Sequence, residues 1–461
     1  GGATGGGGAT GGGGATGGSG AGGGAQGGGG ASGGSGVGGG GATGGSGVGG
    51  GAVAAPSAAR GAATSANVEF HTAAQLSTGR LVIAGTRTQV STFDPRDGLL
   101  LAFDGAQTSN SLHGGVGNDQ LYAIASNLDR YCAGGFSRSF RGTAMNNQAF
   151  FALGTSSSTP TLVRQYGSSD PTLEVRAIIP NGSGWIWAGD HNGSLLLTTM
   201  NSSGGVTNAQ AVTFPTGFQD PRARSLEKRG ALLGVVGDIA QSGSAMPLPV
   251  RGFVQLFEEV TPNSYAFRWG LLSTGTTFTS FMDVTFDATG QLLVAGIDGA
   301  DGVLLRLDAM NGARLAEARV PTWQLRTIRN TSPPLVVGSS SMAPRLLVGR
   351  WTPGTFTGAD FAGLEPVSLR SPVPTFPTDG GVRLVAKLGT STVDVRLNQA
   401  LQASCDGGVS GRPVSLSPPS ASGLAFSQVT PGVTSVSLIT DVLSGGSLGA
   451  LSFTSGPVCV P

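Results

Sequence analysis

From Val68 to about Gly363, short runs of apolar residues recur in a fixed order, each too short for a helix and bounded by Gly, Asn, Asp or Pro. Every unit contains a run that ends in small residues and glycine: LVIAG at 81–85, YCAGG at 131–135, IWAG at 186–189, LGVVG at 233–237, LLVAG at 292–296 and PLVVG at 334–338. An alternating strand precedes it, as in Phe281–Phe286 or Leu173–Ile178. A turn rich in Asp, Asn and Gly follows, and then a second apolar strand such as LLLAF at 99–103, LLLTT at 195–199 or VLLRL at 303–307. A weaker strand, such as Arg314–Arg319, closes the unit.

Taking Gly85, Gly134, Gly189, Gly237, Gly296 and Gly338 as the closing glycines, the spacing is 42 to 59 residues. That period suits four-stranded blades with variable loops. Nearly continuous apolar strands need cover on both faces, which radial stacking of like sheets provides. The pattern therefore predicts an all-β fold, a six-bladed β-propeller to within one blade over 61–363, with few helices. After Gly363 the period stops and Pro366, Pro372, Pro374 and Pro377 punctuate the chain. Alternating runs at Val382–Leu388, Thr392–Leu397, Arg412–Leu416, Val433–Ile439 and Leu448–Phe453 then predict, over 364–461, either a small β-sandwich of immunoglobulin-like type or strands packed on the propeller.

The units resemble the degenerate β-propeller repeats of bacterial cell-surface and secreted proteins. The best match is Gln291–Gly296 followed by Leu304–Gly312. The resemblance covers about 290 residues. It implies architecture and an exported location, and it carries over no catalytic residue, because such repeats share no chemistry.

Composition divides the chain further. Of the first 51 residues, 33 are Gly, and the first charge is Arg60. Read in triplets, the middle residue is Gly except at Gln26, Ser32 and Ser35. Residues 1–60 are thus expected to be a Gly-rich tether, because nothing there buries apolar surface to offset the entropy of ordering glycine. Polyglycine-II-like packing between copies is the alternative. A Gly/Ala/Thr-rich stretch ahead of such a domain resembles the linker of mature bacterial lipoproteins. Residue 1 is Gly, so initiator and signal peptide are expected to have been removed, with a lipid anchor upstream left open. No apolar run is long enough to span a membrane as a helix.

Charged residues are only 11% of the chain and the formal net charge is +1. No basic cluster exists, which argues against nucleic acid. The histidines His71, His113 and His191 stand far apart and read as turn or surface residues. Asp298, Asp301, Asp94 and Asp97 lie in Gly-containing turns, but they lack the pattern of a calcium loop and read as hairpin chemistry. Glu258 and Glu259 are adjacent in a strand and face opposite sides. Trp185 and Trp187 share a sheet face, as core filling or as a sugar-stacking platform. No nucleophile elbow, phosphate loop or paired metal-ligand motif occurs, so no catalytic, cofactor-binding or metal residue is assigned and no cofactor is expected.

Cys405 and Cys459 lie in one C-terminal region beside turn residues and are expected to form a disulfide, whereas Cys132 reads as a buried thiol. The expected function is a non-catalytic binding or adhesion module on the cell surface or outside the cell. A protein or glycan would meet it at the propeller loops or central channel. A subunit of an extracellular fibre, partnered by copies of itself, is the alternative; an enzyme ranks third.

Overall fold

The computed structural model describes residues 60–455 apart from 64–66, 89–95, 105–106, 115–116, 140–146, 157–158, 168–171, 243–248, 276–277, 367–381, 389–390, 398–399, 402–411, 415–423, 436–438, 443–446 and 449–452. The chain divides into two units, Gly1–Gly51 and Ala52–Pro461, and all described residues belong to the second. The Gly-rich segment and the expected Cys405–Cys459 disulfide both lie outside the described residues.

The fold is all-β. Each of the six repeat units forms an antiparallel four-stranded blade, with inner strands Asn67–Gln75, Asp119–Asn127, Leu173–Asn181, Phe218–Arg229, Thr279–Phe286 and Trp323–Arg329. The runs ending in glycine are the second strands, and the apolar runs after them are the third. Third strands such as Gln148–Gly154 are buried at every position, because a neighbouring blade covers each face.

A further sheet stands between the sixth blade and the first. Leu364–Pro366, Val382–Leu388 and Ser391–Leu397 supply three of its strands, and Arg60–Ala63 from the other end of the propeller pairs beside them. Its Val385 packs against Phe70, Ile83, Leu99 and Leu101 of the first blade. Its Val382, Leu384 and Ala386 pack against Leu335, Leu346 and Val348 of the sixth. Each pair of neighbouring sheets thus shares one apolar cluster, and the ring is closed. The first two runs of the expected C-terminal domain are therefore a hairpin of this closing sheet.

The remaining described C-terminal strands pair with outer strands of the blades and with Arg60–Ala63. Arg412–Val414 pairs with the outer strand of blade six. The chain then crosses blade five, where the Leu424 N–H donates to the Glu317 carboxylate and its carbonyl accepts from Arg314 Nη1. Phe426–Gln428, Gly432–Ser435, Ile439–Val442 and Ser447–Leu448 pair with the outer strands of blades four, three, two and one. Phe453–Ser455 ends on Arg60–Ala63 in the closing sheet. The tail is a belt that visits the blades in reverse order. An exposed sheet edge carries a row of unsatisfied N–H and C=O groups, and two to four residues of β-structure per blade are enough to satisfy part of it. Leu424 (3% exposed) also fills a gap among Trp269, Phe281, Phe286 and Leu305 between blades four and five.

Candidate functional site

The inner strands of all six repeat blades carry a β-bulge at the same place. Pairing with the second strand jumps between Phe70 and Thr72, Leu121 and Ala123, Val175 and Ala177, Ala223 and Ser225, Phe281 and Asp283, and Leu325 and Thr327. The extra residue is therefore His71, Tyr122, Arg176, Arg224, Met282 or Arg326. A bulge re-aims one side chain and disturbs the ladder locally. Here it also explains the glycine that marks each repeat. The residue before each bulge pairs with Gly85, Gly135, Gly189, Gly237, Gly296 or Gly338. A Cβ at any of these would stand under 3.0 Å from a carbonyl oxygen of the inner strand. In blade two the equivalent glycine is Gly135, one residue beyond the Gly134 assigned from sequence. The glycines admit the bulge carbonyl, which is a closer demand than general crowding near the axis.

Being on the innermost strands, the bulged residues stand around the central channel, and those of the first three blades meet one another. His71 and Tyr122 have ring centroids 5.4 Å apart, and the Arg176 guanidinium lies over the Tyr122 ring at 4.6 Å. Burial pushes the Tyr122 hydroxyl above the ordinary phenol range. On the next three blades the bulge carries Arg224, the buried Met282 and Arg326, and the charge of Arg224 acts on Arg326.

The residue after each signature glycine matches its bulged partner chemically. Thr86 Oγ1 is 2.9 Å from His71 Nε2, and Phe136 is in ring contact with Tyr122 at 5.7 Å. Arg224 Nε donates to Asp238 Oδ2 at 2.6 Å, and Ser280 Oγ donates to the same oxygen at 2.8 Å. Arg176 pairs with Glu174 and also lies in the field of Asp190. Burial first, and then Glu174, push the Asp190 carboxyl up to about 6 despite that arginine. Blade six breaks the matching: Arg326 meets Ser339, with Nε to Oγ at 3.5 Å, and otherwise donates to Gln324 Oε1.

Below the ring the channel holds a cavity of about 220 Å³. Ala74, Ala125 and Ile179 wall one side, and Glu227, Asp283 and Arg329 the other. Asp283 is fully occupied, accepting from Ser225 Oγ at 2.5 Å, Val284 N at 3.0 Å, Ile328 N at 2.9 Å and Arg329 Nη1 at 2.6 Å. Glu227 beside it is pushed up to about 7 by burial; Arg329 opposes the rise and Asp283 adds to it.

Of the residues singled out from sequence, His71 stands in the ring and the others lie elsewhere. His113 and His191 are buried rather than on the surface, and His113 Nε2 sits 2.7 Å from Ser111 Oγ. Asp298 and Asp301 close one hairpin, where Asp298 pairs with Arg319 at 2.7 Å and Asp301 accepts the Thr322 N–H at 3.0 Å. Asp97 is buried against Arg87 at 2.5 Å, and Asp94 lies outside the described residues. Trp185 and Trp187 are both buried in the apolar cluster between blades two and three, which removes them as a sugar platform. Cys132 is a buried thiol, as expected.

No family model matches the chain, and no curated protein matches it. Among solved structures, the WD40 β-propeller domain of Doa1 is similar at 10% identity and a TM-score of 0.44, over 74% of this chain and 95% of that one. A protein from Lactobacillus plantarum is similar at 13% identity and a TM-score of 0.46, over 73% and 97% of the two chains. At these values the likeness is one of outline, and nothing about ligand or partner passes from either protein to this chain.

Proposed function

We propose that this chain is a non-catalytic binding module, displayed at the cell surface or outside the cell on its Gly-rich segment, whose protein or glycan ligand engages the ring at the channel mouth. One observation carries the reading. Six blades repeat one backbone device, bulge against glycine, yet present His, Tyr, Arg, Arg, Met and Arg through it. A feature kept only for packing would need no such variety, whereas a concave ring of mixed polar and aromatic groups around one axis is how a fold supplies recognition. Tyr122 between His71 and Arg176 offers a stacking face flanked by hydrogen-bond donors, a combination suited to a sugar or a peptide side chain.

The belt supports this over the fibre reading. Strands from the tail pair with the outer edges of blades one, two, three, four and six, which blocks edge-to-edge strand addition between copies there. Among the described residues no helix is long and apolar enough to cross a membrane.

Glycan and protein arrays probed with the purified chain test the reading. Wild type should capture a discrete set of ligands, and Tyr122→Ala and Arg176→Ala should lose it while melting as folded proteins. Capture that survives both substitutions would move the site off the channel. Electron microscopy of native surface material that shows filaments of this chain would favour the fibre instead.

A further inference from the structure

The pairing across the six blades has a single charge defect, and it sits in the ring. Asp190 and Asp238 follow the signature glycine in blades three and four; Asp190 lies in the field of the bulged Arg176, and Asp238 accepts from the bulged Arg224. In blade six the bulge again carries an arginine, but the residue after the glycine is Ser339. Among the described residues, the groups bonded to Arg326 are the neutral Ser339 and Gln324. The charge that acts on it is that of Arg224, of the same sign, whose own counter-charge Asp238 is already shared with Ser280. A guanidinium that is desolvated, unbalanced and repelled is costly unless an anion completes it.

We propose that the channel mouth is an oxyanion site, in which Arg326, with Arg224 beside it, holds a carboxylate, sulfate or phosphate group carried by the ligand. This rests on the channel reading above and narrows it to an acidic ligand. Arginine suits the task, because its planar fork meets such groups with two parallel hydrogen bonds. The bulge of blade five, between the blades of the two arginines, carries the buried, apolar Met282, and an apolar neighbour weakens the competition from water. Burial, and then Arg224, already pull Arg326 down to about 10, the cost that a bound anion would relieve. Among the described residues, Glu174 and Asp190 stand around Arg176 on blade three and Asp238 balances Arg224 on blade four, so the blade-six side of the mouth is the one short of negative charge. Asp220 and Arg222, at the start of the blade-four inner strand, are exposed to solvent and screened.

The test is thermal melting and titration calorimetry of the full chain with sodium sulfate, sodium phosphate, glucuronate and, as a neutral control, glucose. Sulfate, phosphate or glucuronate should stabilise wild type saturably, and glucose alone should not. Arg326→Gln should lose this response, and Arg326→Lys should weaken binding by about tenfold, since lysine cannot bind in bidentate fashion. Ser339→Asp is the decisive variant. It supplies the counter-charge that blades three and four possess, so it should raise the melting temperature without anion and abolish the response to anion. Response to all three anions would assign a general oxyanion site, and response to glucuronate alone an acidic-sugar site. If wild type responds to no anion, or if Ser339→Asp still responds, the inference is overturned. The channel reading itself stands or falls separately, on whether Tyr122→Ala abolishes array capture.

Discussion

Arg224 Nε meets Asp238 Oδ2 at 2.6 Å in blade four, and Arg326 Nε meets Ser339 Oγ at 3.5 Å in the equivalent place of blade six. The two contacts share one backbone geometry, so their difference is purely one of side chains. It separates what the bulge does for the fold from what it offers a ligand. The bulge and its glycine are repeated because the sheet requires them together; the two side chains beside them are free to vary as a pair, and only one pair leaves a charge unbalanced.

Removing the balance in blade four should therefore be harmful. Asp238→Asn leaves Arg224 buried without its carboxylate and weakens the acceptor for Ser280, at a cost of about 2–4 kcal/mol. Urea denaturation would measure it. Because the same change strips negative charge from the mouth, anion affinity should rise as stability falls. A folded variant with unchanged stability would show that water, rather than Asp238, already satisfies Arg224.

Glycine substitutions within one strand separate close approach from mere small size. Gly234 and Gly237 both lie in Leu232–Gln241. An added Cβ at Gly234 meets Leu292 Cδ2 at 3.3 Å, a side-chain end that can yield, whereas at Gly237 it meets the Arg222 carbonyl. Gly234→Ala should cost under about 1 kcal/mol, and Gly237→Ala about 3 kcal/mol or more, because relieving it means undoing the bulge. Comparable losses at both positions would remove the bulge as the reason for the repeat signature.

How much of this was legible follows from range. The six blades were legible because each is built from neighbouring runs whose apolar content demands two-sided cover. The closing sheet and the belt were not. Arg60–Ala63, with sequence RGAA, carries no strand signal, and its partners are Ser391 and Phe453–Ser455, more than three hundred residues away. The belt strands are two to four residues long and mix polar and apolar types, as in FSQ, GVTS and ITDV, a pattern that fits a sandwich as well as an edge. The ring was hidden because a bulge breaks the two-residue alternation by which strand faces are read. A signal does exist: each bulged residue precedes its signature glycine by a near-constant interval, fourteen from His71 to Gly85 and twelve from Arg326 to Gly338.

The belt should hold the blades as well as cover them. Leu424→Ala removes a side chain that is 3% exposed, wedged between blades four and five, and should cost about 2–4 kcal/mol. Thr434→Ala, on the exposed face of the belt strand over blade three, should change stability by under about 0.5 kcal/mol. Denaturation midpoints of the two variants make the comparison. If Leu424→Ala is as mild as Thr434→Ala, the tail is a passive wrapping.

Two buried groups give pH dependences of opposite sign, so each must be read from its own variant. Burial pulls His113 down from 6.5 to about 4, so the folded state holds it neutral. Its contribution is complete above the unfolded pKa and is lost as pH falls from 6.5 towards 4, by up to about 3 kcal/mol. Glu227 is pushed up from 4.5 to about 7, so the folded state disfavours its charge. That penalty is absent below 4.5 and grows as pH rises to about 7. His113→Gln should therefore flatten the loss of stability on acidification, narrowing its gap from wild type as pH falls. Glu227→Gln should stabilise by about 1–3 kcal/mol near neutral pH and by almost nothing near pH 4. Urea denaturation of wild type and both variants across this range decides it. A Glu227→Gln gain independent of pH would mean that the carboxylate is ionised at no cost, and that the cavity beside Asp283 is open to water.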